Sequence, residues 1–177
     1  LFACDETSDD SKPVVSGENN EQHNNLEENI AMPESGFTSS RIINGIPSCG
    51  PLFVIDIDSD GDVDIIVGYI ENNDDARNAI SLFKNDGNNN FTEQIIDDRV
   101  NHVNTIQAVD LDQDGDIDIV SGTEYDDSIS WYENDGSENF VKHIISTSET
   151  ISLSTQALDM DGDGDLDILS TSMGEDA

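Results

Sequence analysis

The sequence predicts an all-β fold, a partial β-propeller of four-stranded antiparallel blades with an Asp-rich loop between the first and second strand of each. Three observations carry this reading. "DIDSDGDVD", "DLDQDGDID" and "DMDGDGDLD" begin at Asp56, Asp110 and Asp159, spacings of 54 and 49 residues. A second signal keeps step with the first: "ISLFKNDGNNNFTEQII" from Ile80 matches "ISWYENDGSENFVKHII" from Ile129. Between them lie short apolar runs rich in β-branched residues, which favour strand. A period near 50 residues points to stacked units rather than a single globule.

The elements follow in chain order. Residues 5–36 are rich in Asp, Glu, Asn, Ser and Gly and lack aromatics. Such a stretch cannot bury enough apolar surface to order itself and is expected to be a tether. "FTSSRII" from Phe37 is a partial copy of the end of the repeat, so the repeat region is expected to span 37–177. One full unit reads as four strands: Thr105–Leu111, then 117–124, then 128–134, then Phe140–Ser146. In the third, Ile129 and Trp131 share one face while Ser130 and Tyr132 share the other. Trp131 aligns with Leu82 and is expected in the core; Tyr132 aligns with Phe83 and is expected to be exposed. Asn85-Asp86-Gly87 and Asn134-Asp135-Gly136 separate the third and fourth strands, and Asp-Gly there predicts a tight hairpin because Gly tolerates positive φ.

Charge narrows the function classes. Forty acidic residues against six basic ones give a formal net charge of -34. Nucleic acid is excluded as a partner, since a basic face is needed to replace counterions. A direct electrostatic hold on anionic lipid is excluded for the same reason. Cations and positively charged partners are favoured. No run approaches the roughly 20 apolar residues of a membrane-spanning helix.

Each Asp loop reads D-x-D-x-D-G-D-x-D. Carboxylates at positions 1, 3, 5 and 9 with Gly at 6 give an oxygen-only donor set, suited to a hard cation such as Ca2+. Position 7 (Asp62, Asp116, Asp165) is expected to offer its backbone carbonyl. Position 8 (Val63, Ile117, Leu166) is apolar and is expected to pin the loop to the core. An EF-hand is excluded on two counts. Position 12 is Val67, Ser121 or Ser170 instead of Glu, and the residues that follow favour strand over helix. Magnitude supports a bound cation. Four inward carboxylates about 5 Å apart repel by on the order of 5 kcal/mol per loop even at a water-like dielectric. A divalent cation among them reverses that sign.

The opening "LFAC" resembles the lipobox of bacterial lipoproteins, with Cys4 as the residue to be lipidated and residues 1–3 as the remnant of a signal segment. The chain opens without Met, so its start is expected further upstream. An acylated Cys4 leaves Cys49 a lone thiol. The acidic residues after Cys4 resemble export signals of surface lipoproteins of Gram-negative bacteria, which implies an outer-membrane, cell-surface location with membrane contact only through the lipid.

The loop, the "WYENDG" strand and turn and the F-x-x-x-I-I strand together resemble FG-GAP (VCBS-type) repeats, the calcium-bearing blades of integrin α-chain-like propellers. The resemblance covers residues 37–177, about two and a half blades, and family rings of about seven blades imply that this is a truncated piece. It implies calcium ligands at Asp56, Asp58, Asp60, Asp62 and Asp64, at Asp110, Asp112, Asp114, Asp116 and Asp118, and at Asp159, Asp161, Asp163, Asp165 and Asp167. The function it implies is non-enzymatic binding or adhesion to an extracellular polysaccharide or protein. Two alternatives remain at this point: part of a lyase-like polysaccharide-degrading propeller with its catalytic residues in other blades, or a structural spacer. His23, His102 and His143 fall in no catalytic pattern.

Overall fold

A computed structural model describes residues 49–70, 78–88, 90–147 and 152–173. The lipobox with Cys4, the acidic tether with His23 and the partial repeat at Phe37 lie outside the described residues. Every described element is a strand. They run β1 (Cys49–Ile55), β2 (Asp64–Tyr69), β3 (Ile80–Asn85), β4 (Phe91–Asp97), β5 (Val103–Val109), β6 (Asp118–Thr123), β7 (Ile129–Asn134), β8 (Phe140–Ser146), β9 (Ser152–Leu158) and β10 (Asp167–Ser172). The second unit's strand boundaries fall within two residues of the sequence expectation at every end.

The strands form two four-stranded antiparallel sheets, β1-β2-β3-β4 and β5-β6-β7-β8, and a two-stranded sheet of β9 and β10. Corresponding pairs share one register. Ile65 faces Phe83 across β2 and β3, as Ile119 faces Tyr132 across β6 and β7. First strands pack side by side, β1 against β5 and β5 against β9. This is the arrangement of successive propeller blades.

The core lies between the first two sheets. Ile66, Ile80 and Leu82 of the first sheet meet Ile106, Ala108, Ile119 and Tyr132 of the second. Burying each isoleucine or leucine among these contributes about 1.5–3 kcal/mol. A polar anchor sits at the edge of this seam. Asp97 is 7% exposed; its Oδ2 accepts from Tyr132 Oη at 3.2 Å and from Lys142 Nζ at 2.9 Å. Its Oδ1 accepts from Arg99 N–H at 2.9 Å.

This seam corrects the expectation for the aromatic pair. Tyr132 is 1% exposed, whereas Trp131 is only half-buried. Tyr132 faces the first sheet, which covers it and supplies Asp97 for its hydroxyl. Trp131 points to the opposite face, towards the side of the two-stranded sheet, and stacks on His143 with ring centroids 4.8 Å apart.

The hairpins also differ from expectation. Gly87 and Gly136 do take positive φ, 76° and 74°. The turns are wider than two residues, however, closing through Asp86 N–H to Asn90 O and Asp135 N–H to Asn139 O. Asp86 and Asp135 fill these turns with their own side chains. Asp135 accepts from Asn139 Nδ2 at 2.9 Å on Oδ2 and from Ser137 N–H at 2.9 Å and Asn139 N–H at 3.2 Å on Oδ1, and these bonds, the Asn139 amide foremost, hold its pKa below the usual carboxylate range.

Candidate metal centre

Each Asp loop joins a first strand to a second: β1 to β2, β5 to β6, β9 to β10. Alternating aspartates build the loop from their own backbone contacts. In loop 1, Asp58 Oδ1 accepts from Asp60 N–H at 3.3 Å, and Asp60 Oδ1 from Asp62 N–H at 2.9 Å. Asp112 and Asp114 repeat this step in loop 2, and Asp161 and Asp163 in loop 3. The position 1 carboxylate reaches across to the glycine N–H at position 6: Asp56 to Gly61 at 3.0 Å, Asp110 to Gly115 at 3.1 Å, Asp159 to Gly164 at 3.2 Å. Those glycines have φ of 97°, 102° and 99°, which L side chains rarely adopt.

These turns fold the carboxylates inward. Oxygens of Asp56, Asp58 and Asp64 lie within 4.8 Å of one another; so do those of Asp110, Asp112 and Asp114, and those of Asp159, Asp161 and Asp167. Of the other positions in the motif, Asp60 and Asp163 point into the turn ladder just described. Asp62 and Asp116 turn their side chains away, onto the hairpins. A Cβ placed on Gly87 would collide with the Asp62 carboxylate, and one on Gly136 with that of Asp116. A role for either in holding a cation therefore falls to its backbone carbonyl. Asp165 has no such hairpin among the described residues; its Oδ1 lies 3.4 Å from Gln113 Nε2.

Position 9 does something the sequence reading missed. Asp64 and Asp118 are 1% and 0% exposed, and each clamps two elements. Asp118 Oδ2 accepts from Leu111 N–H at 3.1 Å and Oδ1 from Asn134 N–H at 2.8 Å. Asp64 does the same with Ile57 N–H at 3.1 Å and Asn85 N–H at 2.8 Å. Burial pushes both carboxyl groups up in pKa, against the pull of these N–H donors. The signal was present in the sequence: Asp opens an apolar strand in every unit, and Asn follows at the end of the third strand.

The apolar pin at position 8 is corrected in part. Val63 is 53% exposed, while Ile117 does pack against the core. In loop 1 the buried pin is Ile57 at position 2, 4% exposed, because its N–H is drawn in by Asp64.

The donor set fits a hard cation. All convergent side-chain atoms are carboxylate oxygens, and Asp110 Oδ1 is a buried oxygen with no hydrogen-bond partner. Such an atom costs about 1–3 kcal/mol unless something meets it. Loop 1 differs here, because Asp56 Oδ1 accepts from Asp60 N–H at 3.1 Å and Asp58 Oδ2 lies 2.9 Å from Lys84 Nζ. Lys84 holds Asp58 below its ordinary pKa. The blade histidines sit apart from the loops: His102 Nδ1 lies 3.3 Å from Glu124 Oε2, and His143 Nε2 lies 2.7 Å from Glu133 Oε2.

Comparison with known families matches the FG-GAP-like repeat at residues 56–121 and again at 110–170. No curated protein and no solved structure matches the chain. The two matches together cover more than half of the sequence, and the chain belongs to the FG-GAP-like repeat family.

Proposed function

We propose that this chain is a non-enzymatic, calcium-stabilised propeller module that holds an extracellular polysaccharide or protein ligand at a bacterial cell surface. Residues 37–177 form the module, residues 4–36 the tether, and Cys4 carries the lipid anchor. One observation carries the metal part: three loops in register each gather carboxylate oxygens from three aspartates within 4.8 Å. Ca2+ would neutralise their mutual repulsion and meet the unpartnered oxygen of Asp110. Asp56, Asp58 and Asp64, Asp110, Asp112 and Asp114, and Asp159, Asp161 and Asp167 would supply the side-chain ligands. Asp62, Asp116 and Asp165 would add backbone carbonyls. The binding role rests on family membership together with the strongly acidic surface, which suits cation-bridged contact with a ligand.

Thermal unfolding of the whole chain by circular dichroism tests the metal part, with calcium, magnesium or chelator at matched ionic strength. A ligand at about 100 times its Kd stabilises the native state by about 2.7 kcal/mol per site. For a chain of this size that raises Tm by roughly 5–10 °C. Calcium is expected to do this and magnesium not. Equal effects of the two ions would reduce the loops to generic acidic turns. The anchor is tested separately. Labelled palmitate fed to an expressing Gram-negative host should enter the precursor-derived chain and be lost in Cys4→Ser; label retained in the variant would remove Cys4 from that role.

A further inference from the structure

The three loops share one motif, but among the described residues only loop 1 has a protein cation on it. Lys84 projects from the end of β3 into the seam between the first two sheets. Its ammonium lies 2.9 Å from Asp58 Oδ2 and 2.5 Å from Glu138 Oε1, which belongs to the β7–β8 turn. A lysine side chain is an ammonium through the physiological range. Loop 2 is built the other way. The residue of β7 that matches Lys84 is Glu133, which is paired with His143. Among the described residues loop 2 therefore carries no lysine, and it retains the unpartnered Asp110 oxygen.

We infer that Lys84 is a built-in competitor for the loop 1 cation site, making loop 1 the weaker of the first two sites and tying its occupancy to the contact between sheets. This rests on the calcium reading above. Asp58 cannot give the same oxygen fully to a divalent ion and to an ammonium. Like charge at the rim also opposes a second cation whichever oxygen it uses. Glu138 gives the displaced ammonium a second partner in place, so Lys84 can leave Asp58 without leaving the seam. Loop 1 then fills after loop 2, and filling it shifts Lys84 wholly onto the second sheet.

Calorimetric calcium titration of the full chain tests this. The background carries Asp110→Asn and Asp112→Asn in loop 2 and Asp159→Asn and Asp161→Asn in loop 3, so that loop 1 alone reports. In that background Lys84→Met should tighten calcium binding about tenfold, equivalent to ~1.4 kcal/mol. Lys84→Arg, which keeps the charge, should leave it within about twofold. Glu138→Gln removes the alternative partner, drives Lys84 onto Asp58 and should weaken binding. Circular dichroism in chelator checks that each variant folds, and the same substitutions in the otherwise native chain give an independent set of isotherms if the background is unstable. Unchanged or weaker binding in Lys84→Met overturns the competitor role while leaving calcium binding intact. A native chain that binds no calcium at any loop overturns the calcium reading, and this inference with it, and the two failures are told apart by that isotherm alone.

Discussion

Loops 2 and 3 have the same nine-position motif and the same internal ladder of aspartate turns, yet they are not supported alike. In loop 2 the position 9 aspartate is fully buried and bridges the loop to the end of the third strand, Asn134. In loop 3 the matching Asp167 is exposed, and its Oδ2 accepts from Met160 N–H at 3.0 Å. No third strand stands beside β10 among the described residues to supply a second donor. The turn ladder thus comes from local sequence, because each carboxylate bonds an N–H a few residues on. The clamp comes from the sheet. One motif, read alone, cannot distinguish the two layers.

The largest expected effect breaks this comparison directly. Asp118→Ala strips acceptors from Leu111 N–H and Asn134 N–H, of which the second bond is buried. Each orphaned donor costs about 1–3 kcal/mol, offset partly by removing a carboxylate that burial already disfavours. A net loss of about 2–3 kcal/mol is expected for Asp118→Ala, and less than about 1 kcal/mol for Asp167→Ala. Urea unfolding in chelator, where no ion confuses the comparison, reads both. Equal losses would show that the motif stabilises by itself and that the third strand adds nothing.

The same division explains what was legible in the sequence. The repeat, the strand order and the glycine turn of each loop were readable because periodicity and turn chemistry are local. The first strand of the second unit was read as Thr105–Leu111 and lies at Val103–Val109, a shift of two residues, and the Asp-Gly pairs marked both hairpins. What the sequence hid depended on neighbouring sheets. Tyr132 was expected outside, and the first sheet buries it with Asp97 against its hydroxyl. Burial then raises its pKa, with the Asp97 charge adding to the shift. Val63 was expected inside, and Ile57 takes that place. Lys84 lay in plain view between Phe83 and Asn85, but its two partners are 26 residues behind and 54 ahead. No spacing rule connects three such positions.

The smallest expected effect sharpens the comparison at the seams between sheets. The seam between the first two sheets is anchored by charge, through Asp97 with Lys142 and Tyr132. The seam between β5 and β9 is anchored by neutral groups. Gln107 Oε1 accepts from Ala157 N–H at 2.6 Å, Gln107 Nε2 donates to Ala157 O at 3.3 Å, and Thr105 Oγ1 accepts from Thr155 N–H at 3.3 Å. Burial alone would raise the Asp97 pKa, but the bonds from Lys142, Arg99 N–H and Tyr132 outweigh it and the net direction is down. A depressed carboxyl pKa stabilises the fold fully above the unfolded value, about pH 4, and that stabilisation is lost as pH falls through the folded value. Asp98 and Arg99 also stand beside Asp97, both exposed and screened by solvent, so they add little to this slope. The stability gap between the native chain and Asp97→Asn should therefore be widest above about pH 4 and narrow below it. For Gln107→Ala the gap should stay constant over the same range, since nothing in its contacts titrates. Urea midpoints of the three proteins from neutral to acid pH measure both gaps, and the many other acidic groups cancel in each difference. A constant gap for Asp97→Asn would mean that the carboxylate acts at the seam only as a hydrogen-bond acceptor, and that the two seams are alike in kind.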